Sequence, residues 1–245
     1  MNIKNIHSPL KGAPLMKKFP LGLLLVIILL IVLGGGLIAW ANTTHRRIDV
    51  TNFTAKSLAT KTISLADNPR QLTFDLRTAV LVIQPGSTTT LTLDHVTADQ
   101  FQIDYSNDSL TVNQKDAQQH HLEIGKSAVL TLTVAHPTTL KALTITQLNG
   151  TLKLNGLTVN RLAIDHTNGT TLANHLTVTG NGQLTKKNGA TTLNDLTTDG
   201  LHVAVKTGQF KLNGAKKAGS GQSYHELGQH PLTISSGSGQ VQITQ

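Results

Sequence analysis

The chain has 245 residues, enough for one large or two small domains, and contains no Cys, 3% aromatic and 14% charged residues. A lack of Cys excludes disulfides, thiol chemistry, zinc–thiolate sites and a lipid-modified cysteine, so an exported domain must rely on strand pairing and core burial. The formal charge of +8 is concentrated at one end: Lys4, Lys11, Lys17 and Lys18 supply half of it, and from residue 42 onward 17 basic residues meet 13 acidic ones. With so few stacking aromatics, no nucleic-acid partner is indicated.

Residues 1–20 carry these lysines and no acid, and are expected to stay in the cytoplasm. Met16-Lys17-Lys18 is an alternative start to Met1. From Leu21 to Ala41 the chain is apolar without a charge, and at about 1.5 Å per residue it reaches across a bilayer core. Trp40 sits where an indole favours the membrane interface. The segment predicts a transmembrane signal anchor, with the C-terminal domain outside the cell. The competing reading is a cleaved signal peptide, since Ala39-Trp40-Ala41 has the small-x-small form, although signal h-regions are shorter. An exported chain without Cys fits a Gram-positive bacterium.

Residues 42–47 form a linker, and 48–139 a β-rich N-terminal part with the role of a cap. Its expected strands are 72–76, 79–83, 91–93, 101–105, 110–112 and 129–134, each alternating apolar and polar residues, with Pro85-Gly86 and Asn107-Asp108 as turns. Phe53, Phe74, Phe101 and Tyr105 give this half the thicker core.

From 140 to 245 the chain repeats itself. Asn149-Gly150, Asn168-Gly169, Asn188-Gly189 and Thr207-Gly208 recur at glycine spacings of 19, 20 and 19, and short Leu/Ile/Val alternations flank each. Gly150, Gly169, Gly189 and Gly208 are expected to be structural turn glycines, since Asn-Gly tolerates positive φ. A fixed period of this kind marks a stacked fold in which one repeat cannot bury its apolar face alone. The prediction is all-β: a single-stranded-repeat parallel β-solenoid of about 20 residues per rung, with the N-terminal cap and one preceding transmembrane helix. A meander of antiparallel hairpins is the alternative, because Asn-Gly also marks hairpins. Thr is about one residue in seven, which suits Thr and Asn ladders on the outer face of successive rungs. Residues 215–231 (AKKAGSGQSYHELGQHP) are expected to form a surface loop, and 236–243 a last rung or edge strand.

Six lysines, Lys186, Lys187, Lys206, Lys211, Lys216 and Lys217, fall close together with only Asp195 and Asp199 among them. They are a candidate contact patch for an anionic cell-wall polymer or lipid head groups; the blander reading is a solvated face. Catalysis finds no support. Asp165, Asp195 and Asp199 do not recur at equivalent positions, as a glycosidase carboxylate pair would require. His120-His121 point to opposite faces of a strand, and His166 and His175 to different sides of a rung, so no metal is expected. No phosphate loop, Ser-His-Asp set or dinucleotide fingerprint appears, and no cofactor is expected.

The run from Val129 through Val134, Pro137, Leu140, Leu143 and Ile145 into Asn149-Gly150-Thr151-Leu152 resembles a bacterial β-strand-repeat family of unknown function that carries the adhesin label. The resemblance covers about residues 70–245. It implies a surface β-solenoid behind one N-terminal membrane helix, and some members lie beside envelope-stress regulators. The family commonly places Asp after the glycine, where this chain has Thr151, Thr170, Ala190 and Gln209. The expected function is therefore a non-enzymatic, membrane-anchored cell-surface protein, an adhesin or cell-wall-contacting module. The alternative is an envelope-stress accessory or scaffold beside membrane regulators, with another envelope protein as partner.

Overall fold

The computed structural model describes residues 21–119, 121–135 and 139–245. The expectations for residues 1–20, His120 and Pro137 lie outside them. The chain divides into two units at Trp40/Ala41. Helix α1 (Leu21–Thr43) runs two residues beyond the expected span, and its side chains from Gly22 to Trp40 are exposed, so it is long and apolar enough to cross a membrane.

Everything after it is β-structure: β1 (Arg46–Asp49), β2 (Thr54–Ser57), β3 (Ala59–Ser64), β4 (Gln71–Gly86), β5 (Thr90–Val96), β6 (Phe101–Ser106), β7 (Ser109–Gln114), β8 (Glu123–Ile124) and β9 (Ala128–Ala135). Then follow β10 (Thr139–Val178), β11 (Gly182–Asn188), β12 (Thr191–Asn194), β13 (Thr197–Leu212), β14 (Ala215–Gly219), β15 (Gln222–His230) and β16 (Leu232–Ile243). The strands expected in the first half are all present. Asn107 and Asp108, with φ of 47° and 65°, make the tight β6–β7 turn, whereas Pro85-Gly86 ends β4 and does not turn.

The centre of the unit is a stack of parallel strands. Leu72 lies beside Leu143 and Phe74 beside Ile145, and further along Ile164, Leu184, Ile234 and Val203 form one buried column. Apolar residues at every second position point into the stack and their neighbours point out. One hydrophobic core runs from Leu65 to Ile243. The expected boundary at 139/140 is no break in it, because β4 is itself a strand of the parallel stack.

Stacking order departs from chain order. Residue offsets of 20 relate β10 to β11 and to β12, but β16 then lies between β11 and β13. The rung at 201–212 is thus reached from the rung at 182–194 only through 232–243. Residues 215–231 are correspondingly not a loop: β14 and β15 pair antiparallel with β13. A bare outer strand invites edge pairing, and β13 is covered by the chain that directly follows it. With that edge taken, β16 can only enter on the inner side. The other end closes the same way, where antiparallel β6 covers β7, and β5 and β3 cover β9. A separate sheet, β2-β1-β8, completes the unit.

Candidate functional site

The turn glycines form a column. Gly150, Gly169, Gly189, Gly239 and Gly208 have φ between 112° and 132°, and a Cβ on each would collide with the carbonyl of the residue stacked on it. Beside the column runs an amide ladder: Asn168 Nδ2 donates to Asn149 Oδ1 at 3.1 Å, Asn188 Nδ2 to Asn168 Oδ1 at 2.8 Å, and Ser238 Oγ to Asn188 Oδ1 at 3.0 Å. A second ladder joins Asn155, Asn174 and Asn194 at 2.9 Å per step. Ser238-Gly239 is the member of the beat that spacing alone does not pick out, because residues 213–231, with β14 and β15, intervene between β13 and β16.

The six lysines do not form one patch. Lys186 is 1% exposed, and its Nζ donates to His166 Nδ1 at 2.9 Å and approaches Thr171 Oγ1 at 3.4 Å. It therefore leaves the contact surface. The signal lay in the alternation, since Lys186 is two residues past the inward Leu184 and keeps its phase. Burial lowers the Lys186 pKa to about 8. Burial, and then the Lys186 charge, lowers His166 to about 4, so the imidazole stays neutral and accepts from the ammonium. His175 is on an exposed corner, 3.3 Å from Asp195.

Lys211 and Lys216 sit opposite each other across β13 and β14, and Lys217 occupies the bulge beside them. Lys187 and Lys206 are brought together elsewhere. Ser236 and Ser238 pair with residues 186 and 188 on one side and 205 and 207 on the other, so Gly237 sits between the two lysines. At about 4.8 Å per strand, their backbones are roughly 10 Å apart. Both line a concavity of about 800 Å³ with Asp165, Thr167, Thr185 and Ser235. Gly237 keeps its floor low, since a Cβ there would meet the Lys187 carbonyl. Two cations over a floor of hydroxyls and one carboxylate, Asp165, can bind an anionic or hydroxylated polymer. Among the described residues, no group of three or more His, Cys, Asp or Glu is placed to hold a metal.

The family model described as Toastrack DUF4097 matches residues 69–245. The chain belongs to the Toastrack DUF4097 family. Among solved structures, the Toastrack chain is similar to a candidate cell adhesion protein of Clostridium sporogenes, at 12% identity and a TM-score of 0.60 over 77% of this chain and 100% of that one. That likeness shows the fold alone. A candidate adhesin of Bacteroides fragilis is similar over 78% of this chain and 98% of its own, at 12% identity and a TM-score of 0.33, too low to carry an argument. No curated protein matches.

Proposed function

We propose that this Toastrack chain is a non-enzymatic, membrane-anchored cell-surface protein whose parallel β-solenoid makes adhesive or cell-wall contact. An anionic envelope polymer is its partner at Lys187 and Lys206. The observation that carries the reading is the concavity, in which two lysines of non-adjacent rungs face one hydroxyl-lined surface. A stack closed by hairpins at both ends is stiff and resists edge pairing, as a displayed module requires. Helix α1 is the anchor, and the lysines before it keep the N-terminus in the cytoplasm. The C. sporogenes protein, described as a candidate for cell adhesion, lends its role to the proposal.

The test is co-sedimentation of residues 41–245, which contain the whole core, with peptidoglycan that carries or lacks teichoic acid. Binding is expected to require the anionic polymer, to weaken steeply with salt, and to fall at least fivefold in the Lys187→Gln/Lys206→Gln variant. Salt-insensitive binding, or none, overturns it.

A further inference from the structure

A second cavity, remote in sequence from the lysine concavity, is walled by β1, β2, β8 and the turns after β5 and β7. It measures about 200 Å³, below the usual range of roughly 300–1,000 Å³ for ligand pockets, so it admits only a small molecule.

Arg47 is 5% exposed, and its guanidinium is spent on the fold. Nε and Nη2 donate to the Lys126 carbonyl at 3.1 and 2.7 Å, Nη2 also to the His95 carbonyl at 2.6 Å, and Nη1 to Gln100 Oε1 at 3.0 Å. Arg77, 7% exposed, is used differently. Its Nη2 donates to Glu123 Oε1 at 2.8 Å, while Nε and Nη1 have no partner among the described residues and are not sealed from the cavity. Gln100, also 7% exposed, accepts from Arg47 and from the Thr97 N–H at 3.0 Å, which leaves its Nε2 buried without an acceptor.

Among the described residues, the open groups of Arg77 and Gln100 in this cluster are donors. Of the carboxylates, Asp49 is already engaged, by His121 at 3.0 Å and by Asn52 Nδ2 at 2.8 Å. Burial pushes the Asp49 pKa up, but the hydrogen bonds from His121 and Asn52 outweigh it and hold the group at about 2. That leaves Glu123, which among the described residues pairs with Arg77 alone, while burial lowers the Arg47 pKa and the Glu123 charge raises it. A buried guanidinium with open donors calls for a planar, charged acceptor, and a carboxylate has that shape. The rim differs in character: Lys56, Lys115, Asp99 and Asp116 are all exposed there, and the Lys115 N–H to Gln100 carbonyl bond of 2.9 Å ties its two turns together. A ligand whose carboxylate lies deep meets Asp99 and Asp116 nearer solvent, with Lys56 and Lys115 beside them.

We propose that this cavity binds a small amino acid as its zwitterion, with the carboxylate on the unspent donors of Arg77 and the ammonium at the rim carboxylates Asp99 and Asp116. The site is independent of polymer contact at Lys187 and Lys206.

Calorimetric titration of the full chain in nanodiscs tests it, with glycine, L-alanine and D-alanine as probes beside acetate and inorganic phosphate. Saturable amino-acid binding, at least tenfold tighter than acetate (about 1.4 kcal/mol), is expected. Arg77→Met should abolish it, but that change also breaks the pair with Glu123. The exposed double variant Asp99→Asn/Asp116→Asn therefore decides: amino-acid affinity should fall to the acetate level, with acetate affinity unchanged. Acetate or phosphate binding as tightly as glycine would reduce the cavity to a plain anion site and overturn the proposal. So would amino-acid binding that ignores the rim variant, or no saturation by about 10 mM.

Discussion

Gly208 stacks on Gly239, which follows it by thirty-one residues in the chain, and not on Gly189, which precedes it. The carbonyl of Gly239 fills the space that a Cβ on Gly208 would need, and Gly189 fills the same space for Gly239. The C-terminal strand is thus a middle layer of the stack, held on both sides by parallel ladders.

Substitution of the stacked glycines should be costly for two reasons that add. Gly208→Ala and Gly239→Ala force an L side chain to positive φ, at roughly 1–3 kcal/mol each, and also push it into a carbonyl. Gly214→Ala is the control: its φ is 79°, but nothing lies within 4 Å of its Cβ position. Thermal unfolding should show a clearly larger fall in Tm for the first two. Equal losses would mean that the column is not close-packed.

The stacking order can be read chemically because the chain has no Cys. Thr207 and Ser238 are register partners, and neighbouring strands lie about 4.8 Å apart, within the span a disulfide bridges. Oxidation should crosslink Thr207→Cys/Ser238→Cys readily and Asn188→Cys/Thr207→Cys poorly, as scored by non-reducing gel mobility. The opposite result would place β13 directly on β11.

Lys186 weakens the folded state at neutral pH. Its folded pKa of about 8 lies below the ordinary 10.5, so below pH 8 it is charged in both states and the fold bears the full cost, about 3 kcal/mol. That cost disappears as pH rises from 8 to 10.5, where the unfolded chain still holds the proton and the folded one does not. Lys186→Met leaves Thr171 Oγ1 at 2.8 Å from His166 Nδ1. It should stabilise the protein at pH 7 by roughly 1–3 kcal/mol, and denaturant titrations at pH 7 and 11 should show the gap closing at the higher pH.

Acid should act through His166. The unfolded imidazole takes up a proton near pH 6.5 and the buried one only near 4, so stability is lost as pH falls through that window, by about 3 kcal/mol when complete. Asp49, held at about 2 against an ordinary 3.8, extends the loss to still lower pH. His166→Gln should flatten the dependence between pH 6.5 and 4 and leave the part below 4 in place. An unchanged slope between 6.5 and 4 would assign it elsewhere.

The candidate site was legible only in part. Clustering in sequence singles out Lys187 and Lys206 but equally Lys186, whose position two residues past Leu184 marks it as inward-facing. Lys211, Lys216 and Lys217 belong to the closing β13–β14 pair. Arg47, Arg77 and Gln100 gave no signal, because single polar residues at separate points of a β-rich chain carry no period. Their association follows from β1 pairing with the distant β8, Ile48 with Ile124 and Asp49 with Glu123.

From residue order alone came the apolar helix, the all-β class, the inward and outward faces of each strand, and the positive φ of Gly150, Gly169, Gly189 and Gly208. These are local properties, set by side-chain alternation and by the backbone freedom of Asn-Gly. The tertiary structure decided which rung lies on which. Every rung presents the same inward leucines and the same glycine turn, so 201–212 and 232–243 fit the stack almost interchangeably by pattern. Only the hairpin strands β14 and β15, which follow β13 and occupy its outer edge, send β16 to the inner one.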